Sequence, residues 1–168
     1  MTLDIAIDAD AEWDSSKDWA KLARSAAVAA IAESAFPKLG QGERTVELSV
    51  RLASDGEVHA LNSEWRGKDK PTNVLSFPMA EEEDLDASAR PGPELMLGDI
   101  ILARGVCAAE ATDKGVPLED HAAHLMVHGT LHLLGYDHMD DATAADMEGR
   151  EVRALARLGI ANPYEGEH

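Results

Sequence analysis

The sequence predicts one α+β or α/β layered domain built on a small mixed sheet. Three observations carry that prediction. Stretches alternating apolar and polar residues are interspersed with stretches whose apolar residues recur every three or four positions, the periods of strand and helix. Their order is strand, helix, strand, helix, strand, strand and then helices, which suits a layered sheet-and-helix architecture. The 168 residues, 45% hydrophobic, suffice for one core, and neither an internal repeat nor a linker divides them, so residues 1–168 are expected to form a single domain.

Thr2–Ile7 alternates and reads as a short strand. Asp14, Ser15 or Ser16 is positioned to cap the helix that follows, in which Trp19, Leu22, Ala23, Ala26, Ala27, Ala30 and Ile31 recur at helical spacing until Pro37 and Gly40 end it. Thr45–Leu52 places Val46, Leu48, Val50 and Leu52 on one strand face. Ser54 and Asp55 can cap a short helix reaching about Trp65. A loop then leads to a strand at Asn73–Phe77, ended by Pro78. Residues 79–96, acidic and broken by Pro91, Gly92 and Pro93, read as an exposed loop and the least ordered part of the chain. Leu97–Ala103 is a buried strand, followed by a helix from about Arg104 to Lys114. Pro117 suits the first turn of the next helix, with Glu119 and Asp120 near its positive end and Gly135 as its stop. Thr143–Asp146 resembles a capping box opening a last helix to about Leu158.

Composition narrows the function classes. The one cysteine, Cys107, excludes an intramolecular disulfide and a cysteine-rich metal site, and fits a reducing compartment. The N-terminus carries no basic region or long apolar run, and no segment has membrane length, so a soluble cytoplasmic protein is expected. A net charge of −17 counts against non-specific binding to nucleic acid, because phosphates repel an acidic surface, but leaves room for a local basic groove.

Such chemistry concentrates in HGTLHLLGYDH, residues 128–138, which holds three of the chain's seven histidines. His128 and His132 are one helical turn apart on one face, spaced for two imidazoles to converge on one ion. Gly135 can turn the chain so that His138 approaches the same point. Three protein ligands leave a fourth position for water, as in catalytic zinc sites. His124, one turn earlier, is placed either to support the site by hydrogen bonding or to pack the helix. His121 lies farther from the turn, and His59 and His168 look incidental.

The spacing resembles the metzincin metalloproteases, whose motif is H-E-x-x-H-x-x-G-x-x-H. Their glutamate, the general base, is here Gly129, so the ligand frame is present and the peptidase base is not. A second cluster lies at residues 61–78, LNSEWRGKDKPTNVLSFP, which gathers Arg66, Lys68 and Lys70. These are either solvated loop charges or phosphate contacts, and arginine can hold a phosphate in two-point geometry and stabilise charge developing on phosphorus.

Taken together, LN..WR.KDKPTNVLSFP at 61–78, LGDI at 97–100, HLMVHGTLHLLGYDH at 124–138 and LG…NPY at 158–164 resemble the YbeY family of bacterial endoribonucleases and rRNA maturation factors. The likeness runs from about Val46 onward, in order. It implies a zinc-binding α+β fold with a four-stranded mixed sheet and a metzincin-like zinc-binding helix. It implies one Zn2+ held by His128, His132 and His138, with the family's functionally important arginine at Arg66. It implies single-strand-specific RNA cleavage in small-subunit rRNA 3′-end maturation and ribosome quality control. The partners implied are rRNA, small-subunit ribosomal proteins and the GTPase Era. Asp137, beside a ligand, is a candidate base or hydrogen-bonding partner, and Lys68, Asn73 and Ser76 are candidate cleft residues. Two rivals remain: a metzincin-like metalloprotease, and a non-catalytic ribosome-assembly factor whose zinc is structural.

Overall fold

The structure, a computed structural model, describes residues 3–42, 44–86 and 92–164. Its centre is a four-stranded mixed sheet in the order β1-β2-β4-β3, formed by β1 (Leu3–Ala9), β2 (Val46–Ala53), β3 (Val74–Pro78) and β4 (Leu95–Ala103). β1, β2 and β4 run parallel, and β3 closes the edge antiparallel to β4. With six helices among the described residues the architecture is α+β. The parallel pairs need long crossovers, supplied by α1 (Trp19–Ala32) between β1 and β2 and by the stretch containing α2 (Asp55–Arg66) between β2 and β4.

Alternation along the strands divides the interior. Val46, Leu48, Val50 and Leu52 of β2 join Ile100 and Leu102 of β4 in the main core, under α1, α5 (Leu118–Leu133) and α6 (Asp141–Arg157). Ile101 and Ala103 point the other way, into a smaller cluster with Leu75 of β3 and Val58 of α2. β4 is therefore buried on both faces, as its unbroken apolar run demands. α5 packs against α1, α4 (Arg104–Lys114), α6, β3 and β4, so nearly every side of it is buried.

Several local expectations are corrected. The cap of α1 is Asp18, whose carboxylate accepts the Lys21 N–H at 3.0 Å, while Asp14 instead closes the preceding turn by accepting from Ser16. The acidic stretch 79–96 is not all exposed loop. Glu82–Asp86 forms the short helix α3, whose Leu85 is 3% exposed in the main core, and acidic residues in its first turn suit its positive end. The strand β4 begins two residues earlier than expected, at Leu95; residues 87–91 of that stretch lie outside the described residues. The capping box of α6 sits one turn earlier than expected: Asp140 accepts from Thr143 N at 2.8 Å and the Thr143 hydroxyl accepts from Asp140 N at 3.1 Å. Asp140 has the extended backbone that an N-cap requires, which Thr143, already inside the helix, does not.

Candidate metal and phosphate site

The end of α5 builds the site. Gly135 adopts φ 95°, and the turn closes with Gly135 N donating to His132 O at 3.0 Å and Tyr136 N to Leu131 O at 3.1 Å, the paired bonds of a Schellman motif. Tyr136 anchors the turn from outside. Its hydroxyl accepts the Ala35 N–H at 2.9 Å, and the Arg150 guanidinium lies 4.7 Å from its ring centroid. His138 is thereby returned toward the helix. Its ring centroid lies 5.6 Å from that of His128 and 5.4 Å from that of His132. One ring nitrogen from each of the three histidines can be chosen so that all lie within 4.8 Å of one another. His128 Nε2 and His132 Nε2 are 3.0 Å apart. Ligand atoms roughly 3.3 Å apart follow from zinc–nitrogen bonds of 2.0–2.1 Å at tetrahedral angles, so the donor set fits one such ion. Among the described residues the group contains no carboxylate or thiolate.

A residue absent from the sequence expectations organises this cluster. Glu151 of α6 is 1% exposed, and its Oε1 lies 3.1 Å from His128 Nδ1, 2.9 Å from His124 Nε2 and 3.0 Å from the Tyr164 hydroxyl. A carboxylate only accepts, so His128 must carry its proton on Nδ1, leaving Nε2 as the lone-pair nitrogen beside His132. Burial raises the Glu151 pKa, but hydrogen bonds from His124 and His128 outweigh it and hold the group down at about 2. The sequence did contain a signal. Met147, Glu151, Leu155 and Leu158 follow one stripe of α6, and a glutamate in an apolar stripe needs buried partners. His124 thus serves the site through Glu151, while His121 pairs with Glu110, which also accepts from Asn73 Nδ2 at 3.0 Å.

His132 has a pKa lowered to about 4, first by burial and then by repulsion from His128 and His138. The two shifts act in the same direction on the metal-free fold. His132 titrates near 6.5 when unfolded, so stability is lost as pH falls from about 6.5 toward 4. Glu151 titrates near 4.5 when unfolded, so its contribution is lost between about 4.5 and 2. Chelator-treated protein should therefore show a falling urea midpoint from pH 7 to pH 5 and a further fall below pH 4. A flat midpoint across that range contradicts the burial of these groups.

The three histidines open onto a cleft of about 610 Å3 that Arg66, Lys68 and Lys70 also line, with Asn73, Ser76 and Asp137. The two clusters of the sequence are thus one site. Asn62, 3% exposed, holds the basic loop: its backbone O accepts from Lys68 N at 3.2 Å and its Nδ2 donates to Lys70 O at 2.9 Å. His59 pairs with Asp69 of the same loop at 2.7 Å, so it too has a local task, whereas His168 lies outside the described residues. Asp137 is exposed and accepts the His138 N–H at 2.7 Å.

Gly129 has a packing reason. A Cβ there would stand 2.9 Å from Ile100 Cγ2 and 3.2 Å from Ile100 Cδ1, on the sheet side of α5. No glutamate fits. Restoring the metalloprotease motif with Gly129→Glu should cost roughly 3 kcal/mol or more, from overpacking and a buried unpaired carboxylate. Urea unfolding reads this directly; a variant as stable as the parent contradicts the close approach of α5 and β4.

Fold and cleft define an α+β domain that gathers three imidazoles at a helix end in one cleft with a cluster of cations. Comparison with known proteins narrows that class. The family model described as "Endoribonuclease YbeY" matches residues 8–159. Proteins named Endoribonuclease YbeY from Sphingopyxis alaskensis and Rhizorhabdus wittichii are 54% and 52% identical to it, over 96% of this chain in each case and 97% and 96% of theirs. The chain belongs to this family. The solution structure of TM1509 from Thermotoga maritima has the same fold, at a TM-score of 0.55 and 24% identity, covering 92% of this chain and 91% of that one. No helix among the described residues is long and apolar enough to cross a membrane.

Proposed function

We propose that residues 1–168 act as a single zinc-dependent endoribonuclease domain specific for single-stranded RNA. One observation carries this reading: three convergent histidines and three cations line one cleft. The family membership supports it. His128, His132 and His138 would hold the ion. When bound, zinc supplies Lewis-acid polarisation of a phosphoryl oxygen and lowers the pKa of a coordinated water to roughly 7. Arg66 grips the non-bridging phosphate oxygens in two-point geometry and offsets negative charge as it builds on phosphorus. Lys68 and Lys70 follow the flanking backbone. Asp137, in the cleft beside His138, is the carboxylate positioned to receive a proton from the attacking hydroxyl. RNA brings a nucleophile of its own, the 2′-OH, which lessens the need for the glutamate that peptide hydrolysis requires.

Glu151 keeps His128 in one tautomer and orientation. Glu151→Gln retains the volume but can offer His128 Nδ1 only a weaker, neutral acceptor. Zinc affinity in competition with a chromogenic chelator should fall about 10- to 100-fold. Unchanged affinity would remove Glu151 from the site's support.

In the cell we assign this activity, by resemblance to the family, to small-subunit rRNA 3′-end maturation and ribosome quality control in the cytoplasm. Small-subunit ribosomal proteins and the GTPase Era are the partners this implies. The net charge of −17 suits delivery to RNA by a basic ribosomal protein better than capture of free RNA. The packing at Gly129 disfavours the metalloprotease, and a donor set of three histidines opening on a cleft disfavours purely structural zinc. Cleavage of a single-stranded RNA, abolished by chelator and restored by zinc, tests the proposal. No cleavage by the zinc-loaded protein would overturn it.

A further inference from the structure

Five large hydrophobic side chains are exposed among the described residues: Trp65, Met79, Met96, Val116 and Met139. Three are chain neighbours of residues lining the histidine cleft. Trp65 precedes Arg66, Met79 follows Pro78, and Met139 follows His138. Trp65 is 68% exposed, whereas Trp13 and Trp19 are 2% and 6% exposed in the core. The fold has no use for this indole: α2 buries Val58 and Asn62, and Trp65 belongs to neither apolar cluster. An aromatic of this size left in water, beside the densest cation cluster of a very acidic chain, calls for a ligand with both flat apolar faces and negative charge. Single-stranded nucleic acid has both, and proteins that bind it pair aromatic faces for the bases with cations for the backbone.

The position is also held. Trp65 sits in the last turn of α2, which ends at Gly67 with φ 66°, and Asn62 ties that turn to Lys68 and Lys70. Stacking therefore orders little backbone, and an indole has only two side-chain torsions to fix. We propose that Trp65 is a base-stacking platform for single-stranded RNA entering the cleft, with Met79 and Met139 extending the apolar rim. This rests on the endoribonuclease reading and adds a recognition element to it. Stacking accepts any base, so Trp65 favours unpaired strands without selecting a sequence: bases in a duplex have their faces occupied.

Emission provides the test, because Trp65 is the one exposed tryptophan of the three. The zinc-loaded protein is titrated with a 12-nucleotide 2′-O-methyl single strand, and with the same strand carrying abasic sites. The intact strand should quench the emission of the parent protein; its Kd, read for parent and variants alike from the anisotropy of a fluorescein label on the strand, should rise about tenfold in Trp65→Ala, with Trp65→Phe recovering most of the loss. The abasic strand should bind wild type and Trp65→Ala alike. Zinc content and melting temperature should not change in either variant. An unchanged Kd for Trp65→Ala, with wild-type cleavage intact, overturns the platform and leaves the endoribonuclease reading standing. A wild type that neither binds nor cleaves RNA overturns both. RNA affinity unchanged while binding to purified small-subunit ribosomal proteins weakens would assign Trp65 to a protein contact and overturn the proposal.

Discussion

The double variant His128→Ala/His132→Ala should retain no bound zinc and should cleave RNA about a thousandfold or more slowly, since Lewis-acid stabilisation is worth several kcal/mol. Two of three imidazoles vanish, and His138 alone, exposed on its turn, cannot hold an ion. The fold should survive, because the apolar residues of α5 that meet α1 and the sheet are untouched. Elemental analysis after dialysis gives metal content, circular dichroism the fold, and a labelled single strand the rate. Undiminished zinc in the folded variant would sink the ligand assignment; lost zinc with undiminished cleavage would sink metal dependence and leave the ligands in place.

The second large effect belongs to Arg66. Arg66→Ala should lower kcat about 100- to 1,000-fold, the usual cost of removing one preorganised donor to developing charge. Zinc content should stay at the parent level, because Arg66 is not part of the histidine group that would hold the ion. Arg66→Lys should recover only part of the rate, since an ammonium is a point charge and cannot grip two oxygens in a plane. Stability should barely change: Arg66 is exposed in the last turn of α2, where alanine is a good helix former. Normal cleavage by zinc-loaded Arg66→Ala would show that the cations of the loop bind phosphate without stabilising the transition state.

Much of this architecture was legible because its causes are local. Each of the four strands was placed within two residues of its bounds, since alternation reflects the pleat itself. Arg104–Lys114 was read at the bounds it has, ended by Gly115. Misreadings arose where one local signal competed with another. Asp14, Ser15 and Ser16 are capping residues by chemistry, yet Asp18 caps α1 because Asp14 is engaged in its own turn. Leu85 turned an acidic loop into a helix because it found a place in the core, and only the surrounding core could reveal that.

By itself the sequence determined the periodicities, the turn at Gly135, the histidine spacing and the basic loop, all set by residues a few positions apart. Only the tertiary structure decided that Arg66 and the histidines share one cleft, since this depends on how α2, β3 and α5 pack around the sheet. It decided that Gly129 is a packing requirement of α5 on Ile100, where the motif alone showed a missing carboxylate. It also brought Glu151, 23 positions from His128, to the hidden nitrogen of that imidazole. The reason is physical: hydrogen bonds and close packing act over a few ångströms, and folding alone makes residues far apart in the chain near in space.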